Sequence, residues 1–154
     1  MPGLARVLAA VALLAAIVWF AWPVPTDEDR VRDVIRAVIA GAEAGDVGDV
    51  LEHVSDTFQG RSDEGSFDAP TLRSLLVARF MRHGPIAVFV AEIKVKITGD
   101  QADASFDALL TERGEDWTDI IPINADGWHL EVGLAREADG WKISSAERSD
   151  LTMN

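Results

Sequence analysis

The stretch that decides the fold runs from Trp128 to Glu147 and reads Trp-His-Leu-Glu-Val-Gly-Leu-Ala-Arg-Glu-Ala-Asp-Gly-Trp-Lys-Ile-Ser-Ser-Ala-Glu. Apolar and polar residues alternate along both halves, which indicates two β-strands that each have one apolar face. Between the halves lies Asp139-Gly140, a dipeptide that favours a tight type I′ turn. We therefore predict a β-hairpin in which Ala138 pairs with Trp141.

This pairing predicts which residues share a face of the hairpin. The apolar face carries Trp128, Leu130, Val132 and Leu134 on one strand, and Trp141, Ile143, Ser145 and Glu147 on the other. The charged face places three favourable cross-strand pairs, Glu137 with Lys142, Glu131 with Arg148, and His129 with Asp150. A sheet with one apolar face needs a covering layer, and we expect the upstream segments to supply it.

Composition and charge narrow the class of protein. A chain of 154 residues with 48% hydrophobic residues suits one domain with its own core. The 26 acidic and 14 basic residues give a net charge of −12, so nucleic acid is not an expected partner. The chain contains no cysteine, which excludes disulfides, thiolate metal sites and a catalytic thiol.

The N-terminal segment, residues 1–25, is predicted to be a membrane anchor or a signal segment. Residues 7–22 are all apolar, and as a helix they would span about 24 Å. No Ala-x-Ala cleavage site lies near the end of this run, which favours an uncleaved anchor over a cleaved signal peptide. Arg6 precedes the run and three acids follow it, so the positive-inside rule places the rest of the chain outside the cytoplasm.

Residues 26–150 form the predicted domain, and 151–154 a short tail. Thr26, Asp46 and Asp68 are each followed by apolar residues at helical spacing, and each is a good N-cap. The stripes expected to face the core are Val31, Val34, Ile35, Val38, Ile39 and Ala42, then Val47, Val50, Leu51 and Val54, then Leu72, Leu75, Leu76 and Phe80. We therefore predict three helices, with an exposed loop over residues 59–67.

A second β-hairpin is predicted after Gly84-Pro85. Phe89, Ala91, Ile93, Val95 and Ile97 alternate with more polar neighbours, and Gly99-Asp100 is a two-residue turn that begins with glycine. That turn places Ala102, Ala104, Phe106, Ala108 and Leu110 on the same apolar face and Lys96 opposite Asp103. Val88, Val90 and Leu109 make part of the outer face apolar, which indicates a covering element or a homodimer through the outer face. Residues 113–126 are expected to form a flap or short strand. The fold class is thus α+β, with three helices on an antiparallel sheet of about four strands.

Several segments together resemble the nuclear-transport-factor-2-like (NTF2-like) superfamily, whose fold is also called SnoaL-like or cystatin-like. They are Ala-Glu-Ala-Gly-Asp (42–46), Val-Leu-Glu-His-Val-Ser-Asp-Thr-Phe (50–58), Arg-Phe-Met-Arg-His (79–83), Thr-Gly-Asp-Gln-Ala (98–102) and Asp-Gly-Trp-Lys-Ile-Ser-Ser-Ala-Glu (139–147). The resemblance implies a curved sheet wrapped on helices around a conical pocket. Members include isomerases, dehydratases and binding modules without chemistry, so the resemblance alone assigns no reaction. The resemblance also implies a bacterial envelope, hence periplasmic, setting.

Three residues are candidate catalytic groups. The predicted hairpin places Glu147 on the apolar face opposite Val132, where burial would raise a carboxyl pKa as a general acid or base requires. His53 and Asp56 lie where the resemblance implies a polar pocket residue. The related isomerases pair an acid with a tyrosine donor, and this chain contains no tyrosine.

Aromatic residues are the candidate lining of the pocket, namely Phe89, Phe106, Trp117, Trp128 and Trp141. The three histidines have no metal-ligand spacing, and the acidic stretches lack the pattern of a calcium loop, so we expect no metal. No phosphate-cradling loop precedes a lysine, and we expect no cofactor.

The sequence leaves three functions open. The first is a membrane-tethered extracytoplasmic domain that binds a small apolar ligand or a protein partner and catalyses nothing. The second is an enzyme of the ketosteroid-isomerase or SnoaL kind, with a pocket carboxylate as base. The third is a component of an envelope assembly.

Overall fold

The computed structural model describes residues 2–21, 23–84, 86–112 and 126–151. Along these residues four helices and seven strands follow one another. They are α1 (Pro2–Phe20), α2 (Asp27–Ala44), α3 (Val47–Glu52), β1 (Val54–Ser62), β2 (Gly65–Asp68), α4 (Ala69–His83), β3 (Ile86–Val90), β4 (Lys94–Thr98), β5 (Gln101–Glu112), β6 (Asp126–Glu137) and β7 (Gly140–Asp150). The predicted flap over 113–126 lies, except for its last residue, outside the described residues.

The strands form one curved, mixed sheet in the order β2-β1-β7-β6-β5-β3, and β4 pairs with β5 beside β3. β1 and β7 run parallel, whereas the other paired strands are antiparallel. The prediction of an α+β fold with three helices in the domain is therefore confirmed, but the sheet has seven described strands rather than about four, and it is not purely antiparallel.

The predicted helix caps are present. The Thr26 hydroxyl accepts a hydrogen bond from the Asp29 N–H at 3.2 Å, and the Asp29 carboxylate accepts one from the Thr26 N–H at 3.0 Å. Gly45 ends α2 with φ 69°, a conformation that glycine adopts without strain. Asp46 and Asp68 cap α3 and α4, because their carboxylates accept hydrogen bonds from the Asp49 N–H and the Thr71 N–H, each at 3.0 Å.

Every side chain of the first helix, α1, that the structure describes is exposed. Trp19 is 86% exposed and Phe20 is 95% exposed. Among the residues that the structure describes, no helix is both long enough and apolar enough to cross a membrane.

The segment after α3 differs from the prediction. The helical stripe up to Val54 predicted a helix that is followed by a loop over 59–67, yet α3 ends at Glu52 and a β1–β2 hairpin follows. The Ile143 N–H donates to the His53 carbonyl at 2.8 Å, and β1 then continues in parallel beside β7. This pairing joins residues about 90 positions apart, and local periodicity carries no signal of it.

The turn of the β6–β7 hairpin also differs. A type I′ turn over Asp139-Gly140 needs positive φ at both residues, but only Gly140 has it, with φ 126°. The turn is instead Ala138-Asp139, and Glu137 pairs with Gly140, so the predicted pairing of Ala138 with Trp141 is wrong.

A β-bulge at Ser144 then reverses the faces of the second half of β7. Leu134 pairs with Ile143, but the next pair is Gly133 with Ser145. One residue has been inserted, which moves every later side chain of β7 to the opposite face. Glu147 therefore pairs with Glu131 and lies on the face away from α2, contrary to the predicted position opposite Val132.

The core lies between α2 and the inner face of the sheet, which is the face that α2 covers. Its buried members are Val31, Ile35, Phe58, Ala102, Ala104, Phe106, Ala108, Val132, Leu134, Trp141 and Ile143. The alanines of β5 confirm the predicted alternation after the Gly99-Asp100 turn, in which Thr98 pairs with Gln101.

Two other predicted core positions are wrong. Phe89 is 60% exposed, because Val88 and Val90 are the residues of β3 that face the core. Leu75 of α4 is 52% exposed, whereas Leu72 on the neighbouring turn packs against the core.

Candidate functional site on the outer face of the sheet

The predicted catalytic residues do not meet in an apolar pocket. Glu147 is exposed on the outer face of the sheet, which is the face away from α2. Asp56 is exposed within the irregular part of β1, and His53 is half-buried at the C-terminus of α3. Two irregularities explain the separation, namely the β-bulge at Ser144 in β7 and the shift of register between Val54 and Gln59 in β1.

The predicted pocket aromatics are dispersed as well. Phe106 and Trp141 are 7% and 5% exposed and fill the core. Trp128 is half-buried, with the Arg148 guanidinium 4.5 Å from the centre of its ring. Phe89 is exposed on the outer face, and Trp117 lies outside the described residues.

The outer face carries a row of apolar residues at one end. Phe89 pairs with Leu109, Leu109 pairs with Gly127, and the Leu151 N–H donates to the Gly127 carbonyl at 3.1 Å. We name Phe89, Leu109, Gly127 and Leu151 the apolar row. The side chains of Leu151 and Leu109 fill the space above Gly127, because a Cβ there would lie 3.1 Å from Leu151 and 3.3 Å from Leu109.

Further along the strands, the outer face carries a row with both signs of charge. Cross-strand pairing places six residues side by side, and we name them the charged row: Lys94, Ser105, Glu131, Glu147, Arg61 and Ser66. Glu131 and Glu147 lie directly opposite each other at its centre, an arrangement of like charges that destabilises a sheet. Among the described residues, no salt bridge joins Lys94, Arg61 or Glu147 to an opposite charge.

An open groove of about 820 Å³ follows the charged row and the row beside it. The neighbouring row adds Lys96, Asp103, Gly133, Ser145 and Gln59 to its lining. Gly133 lies at the floor, where a Cβ would come 2.3 Å from the Ser145 hydroxyl oxygen. Between the groove and the apolar row, His129 Nδ1 lies 2.7 Å from the Asp107 carboxylate.

No family model and no curated protein matches the sequence, but solved structures match the fold. A candidate dehydratase of the NTF2-like family from Streptomyces avermitilis is 17% identical, with a TM-score of 0.71 over 83% of this chain and 99% of that one. An NTF2-like protein with a cystatin-like fold from Novosphingobium aromaticivorans is 17% identical, with a TM-score of 0.68 over 100% and 94%. This chain has the NTF2-like fold.

A third similar structure is a candidate ketosteroid isomerase from Shewanella frigidimarina, 16% identical with a TM-score of 0.62 over 80% of this chain and 95% of that one. At such identities the likeness establishes the NTF2-like fold and carries no residue roles.

Four carboxyl groups of this NTF2-like domain have a pKa below the ordinary value of 3.8. They are Asp27, Asp29, Asp68 and Asp139. Hydrogen bonds are the first cause, donated by Arg136, Thr26, Thr71 and Lys142 in that order. A lowered pKa makes a carboxylate a weaker base, and these four groups hold helix starts and a turn, so their role is structural.

Metal binding has no support within the described part of the NTF2-like domain, where no three histidine, aspartate or glutamate side chains cluster as ligands. His129, Asp107 and Glu131 come nearest along one side of the groove, but His129 Nε2 is 3.9 Å from Glu131, which is an ion-pair distance.

Sequence reasoning missed Arg61 as a residue of this surface, because residues 59–67 were predicted to be a loop. A signal for the hairpin was present in Asp63-Glu64-Gly65. It has the same form as Ala138-Asp139-Gly140, and Gly65 adopts φ 128° where Gly140 adopts 126°. Reading both as a two-residue turn followed by a glycine at positive φ would have placed Arg61 in a strand.

Proposed function

We propose that this chain is a non-catalytic NTF2-like assembly domain, tethered to a membrane with residues 26–150 on the extracytoplasmic side, that binds a second copy of itself through the outer face of its sheet. The observation that carries the proposal is the pattern of the apolar and charged rows. One two-fold axis makes both rows complementary to themselves.

The geometry of that axis follows from the strand order. When two outer faces meet across a two-fold axis that runs parallel to the strands, between β5 and β6, each β4 lies over the partner's β7. In the charged row this brings Lys94 over the second copy's Glu147, and the reverse. Each Lys94–Glu147 pair forms twice by symmetry.

The same axis fits the apolar row. Phe89 then lies over the second copy's Leu151, and Leu109 lies over its Gly127. Because Leu109 and Leu151 cover Gly127, the row presents a continuous apolar surface to the second copy. Sheets that pack face to face are about 10 Å apart, which side chains of this length fill.

Association would also relieve a defect of the single copy. Glu131 and Glu147 repel each other in the isolated domain, and a lysine of the second copy would lower that repulsion. Two copies with a net charge of −12 each repel at long range. At physiological salt, however, this field is screened beyond about 8 Å, so the contacts across the interface decide the outcome.

The absence of catalysis is supported by the positions of the candidate acids. Two similar structures carry dehydratase and ketosteroid isomerase in their names. For this chain an enzyme would need a carboxylate in a closed apolar site, and Glu147 and Asp56 are both exposed. Phe106 and Trp141 are packed in the core instead of lining an open cavity.

The tether is supported by the apolar run over residues 7–22 and by the exposed side chains of α1. If the tether is correct, carbonate washing leaves the full chain in the membrane fraction, and its intact mass retains residues 1–25. A chain that begins after Trp22 would contradict it.

A charge exchange tests the self-association. Wild-type full-length chain in a neutral detergent is expected to sediment as a dimer at micromolar concentration. Lys94→Glu places two acids face to face at both symmetric contacts and should weaken the dimer by at least about 10-fold. The double variant Lys94→Glu with Glu147→Lys restores both pairs and should restore the dimer.

Arg73→Glu is the matched control, because Arg73 is exposed on α4. This substitution changes the charge by the same amount as Lys94→Glu, but on a helix and not on the outer face of the sheet. A monomeric wild type, or a double variant no better than Lys94→Glu, would refute the proposed interface.

A further inference from the structure

A second cavity lies between α2 and β3, away from the outer groove, and has a volume of about 470 Å³. Arg32, Arg36, Ile39 and Glu43 line it from the helix, and Val88, Val90 and Ile93 line it from the strand side. Its volume lies within the range of small-molecule sites. Its walls are apolar along the middle and cationic at the Arg32–Arg36 end.

The strand that borders this cleft has a free edge. Among the described strands β3 is the last in the sheet order, so one of its edges has no partner strand. The Ala91 N–H donates to the Asp107 carbonyl of β5 at 3.2 Å, which fixes the alternation of the ladder. Val88 and Val90 therefore direct their N–H groups away from β5 and toward the cleft.

A carboxylate already occupies one of these edge groups. Glu43 Oε1 accepts a hydrogen bond from the Val88 N–H at 3.0 Å. The Val90 N–H points the same way about 7 Å further along the strand. The edge thus offers a second donor of the kind that binds a carboxylate within the same cleft.

Two arginines line the same cleft as that second donor. Arg32 donates through Nε to the Ile93 carbonyl at 3.3 Å and is 3.6 Å from Asp29, and Arg36 is 3.4 Å from Asp33. A guanidinium has five N–H donors, so these contacts leave others for a ligand. Exposed ion pairs of this kind contribute little and exchange readily.

We infer that the α2–β3 cleft binds a small amphipathic carboxylic acid. The carboxylate accepts hydrogen bonds from the Val90 N–H and from Arg36, while the apolar body lies against Ile39 and Ile93. Glu43, Glu92 and the net charge of −12 oppose an anion. Glu43 is held by the Val88 N–H, and the distant charges are screened, so the contacts with Val90 and Arg36 decide binding.

Hexanoate and its uncharged analogue hexanamide test this site by amide NMR on the full chain in neutral maltoside micelles. Both probes have the same apolar tail and are short enough to remain in water. Hexanoate is expected to shift the Val90 amide first and to bind at least 10-fold more tightly than hexanamide, since charge-assisted hydrogen bonds are about twice as strong as neutral ones.

Variants of the helix separate the contribution of each charge. Arg36→Gln should weaken hexanoate about 10-fold, because it removes one charge-assisted bond. Arg30→Gln is the matched control, since Arg30 lies on the same helix, pairs with Asp27 and does not line the cleft. Glu43→Gln keeps an acceptor for the Val88 N–H and removes a negative charge, so it should tighten hexanoate several-fold.

A tripeptide that ends in a leucine carboxylate separates a free acid from a chain end. A tripeptide carries an ammonium group and two peptide groups that would lose water against the apolar middle of the cleft, so we expect the peptide to bind more weakly. Tighter peptide binding would overturn the assignment to a free acid. Equal shifts with hexanoate and hexanamide, or an Arg36→Gln variant that binds as wild type, would overturn the site itself. The oligomeric state does not enter this test, so its outcome is independent of the proposed dimer.

Discussion

The two faces of the sheet differ in what fills the space above them. On the inner face α2 covers a close-packed set of side chains, of which Leu134 is 1% exposed. On the outer face the same strands carry two opposed glutamates, the apolar row, and the cations Lys94 and Arg61, which form no salt bridge with any residue that the structure describes. The inner face thus accounts for the stability of one copy, and the outer face is the surface that we propose binds a second copy.

The largest contrast is expected from truncating one leucine on each face. Leu134→Ala leaves a cavity in the core and should lower the free energy of unfolding by about 3 kcal/mol. Leu109, at 43% exposed, should cost less than about 1 kcal/mol when truncated in the monomer. Urea denaturation, at a protein concentration below the dissociation constant of the dimer, measures both free energies of unfolding. Equal costs would remove the distinction between the faces.

A matched pair of glycine substitutions sharpens the same contrast. A Cβ on Gly60 would lie 2.3 Å from the Phe67 ring, which is held on the inner side of β1 and β2, so Gly60→Ala should cost about 2 kcal/mol. A Cβ on Gly133 meets the Ser145 hydroxyl at the same distance, but that group can rotate away, so Gly133→Ala should cost below about 1 kcal/mol. Thermal unfolding of the two variants measures this difference. A larger drop in unfolding temperature for Gly133→Ala than for Gly60→Ala would contradict the prediction.

Neutralising one acid of the outer face should separate folding from association. Glu147→Gln relieves the repulsion from Glu131 and is expected to stabilise the monomer by about 0.5 kcal/mol. It also removes the proposed partner of Lys94, so the dimer should weaken. Unfolding at low concentration and sedimentation at high concentration measure the two effects. A loss of monomer stability would show that Glu147 is already satisfied within one copy.

The smallest effect is expected where α2 begins. The Arg136 guanidinium holds the pKa of Asp27 below 3.8, so the folded state binds this proton more weakly than the unfolded chain does. The stabilisation is therefore present above the ordinary pKa and is lost as the pH falls through the lowered one. Asp27→Asn should flatten the decline of stability between about pH 5 and pH 2. An unchanged pH profile would show that Arg136 does not act through Asp27.

The sequence predicted the elements whose determinants are local. The caps at Thr26, Asp46 and Asp68 and the turn at Gly99-Asp100 each depend on a few neighbouring residues, and all are present. The alternation from Ala102 to Ala108 was also sufficient, because β5 has no irregularity in its described pairings with β4 and β6 over these residues.

The candidate site could not be predicted, because it depends on irregularities and on distant pairing. Ser144 is followed by a second serine, and nothing in this pair indicates which residue is the extra one. That one bulge moved Glu147 from the expected apolar pocket to the outer face. Arg61 reached the same face through parallel pairing with β7, which depends on tertiary contacts rather than on the periodicity of residues 54–62.

Cross-linking tests most directly whether two copies associate through the outer face. Because the chain contains no natural cysteine, only the introduced cysteine can react. Ser105 lies on β5 next to the proposed two-fold axis, whereas Ser74 is exposed on α4. With a bis-maleimide that spans about 10 Å, the separation of two packed sheets, full-length Ser105→Cys should give a covalent dimer and Ser74→Cys should remain a monomer. Failure of Ser105→Cys to cross-link, or equal cross-linking at both positions, would contradict the account.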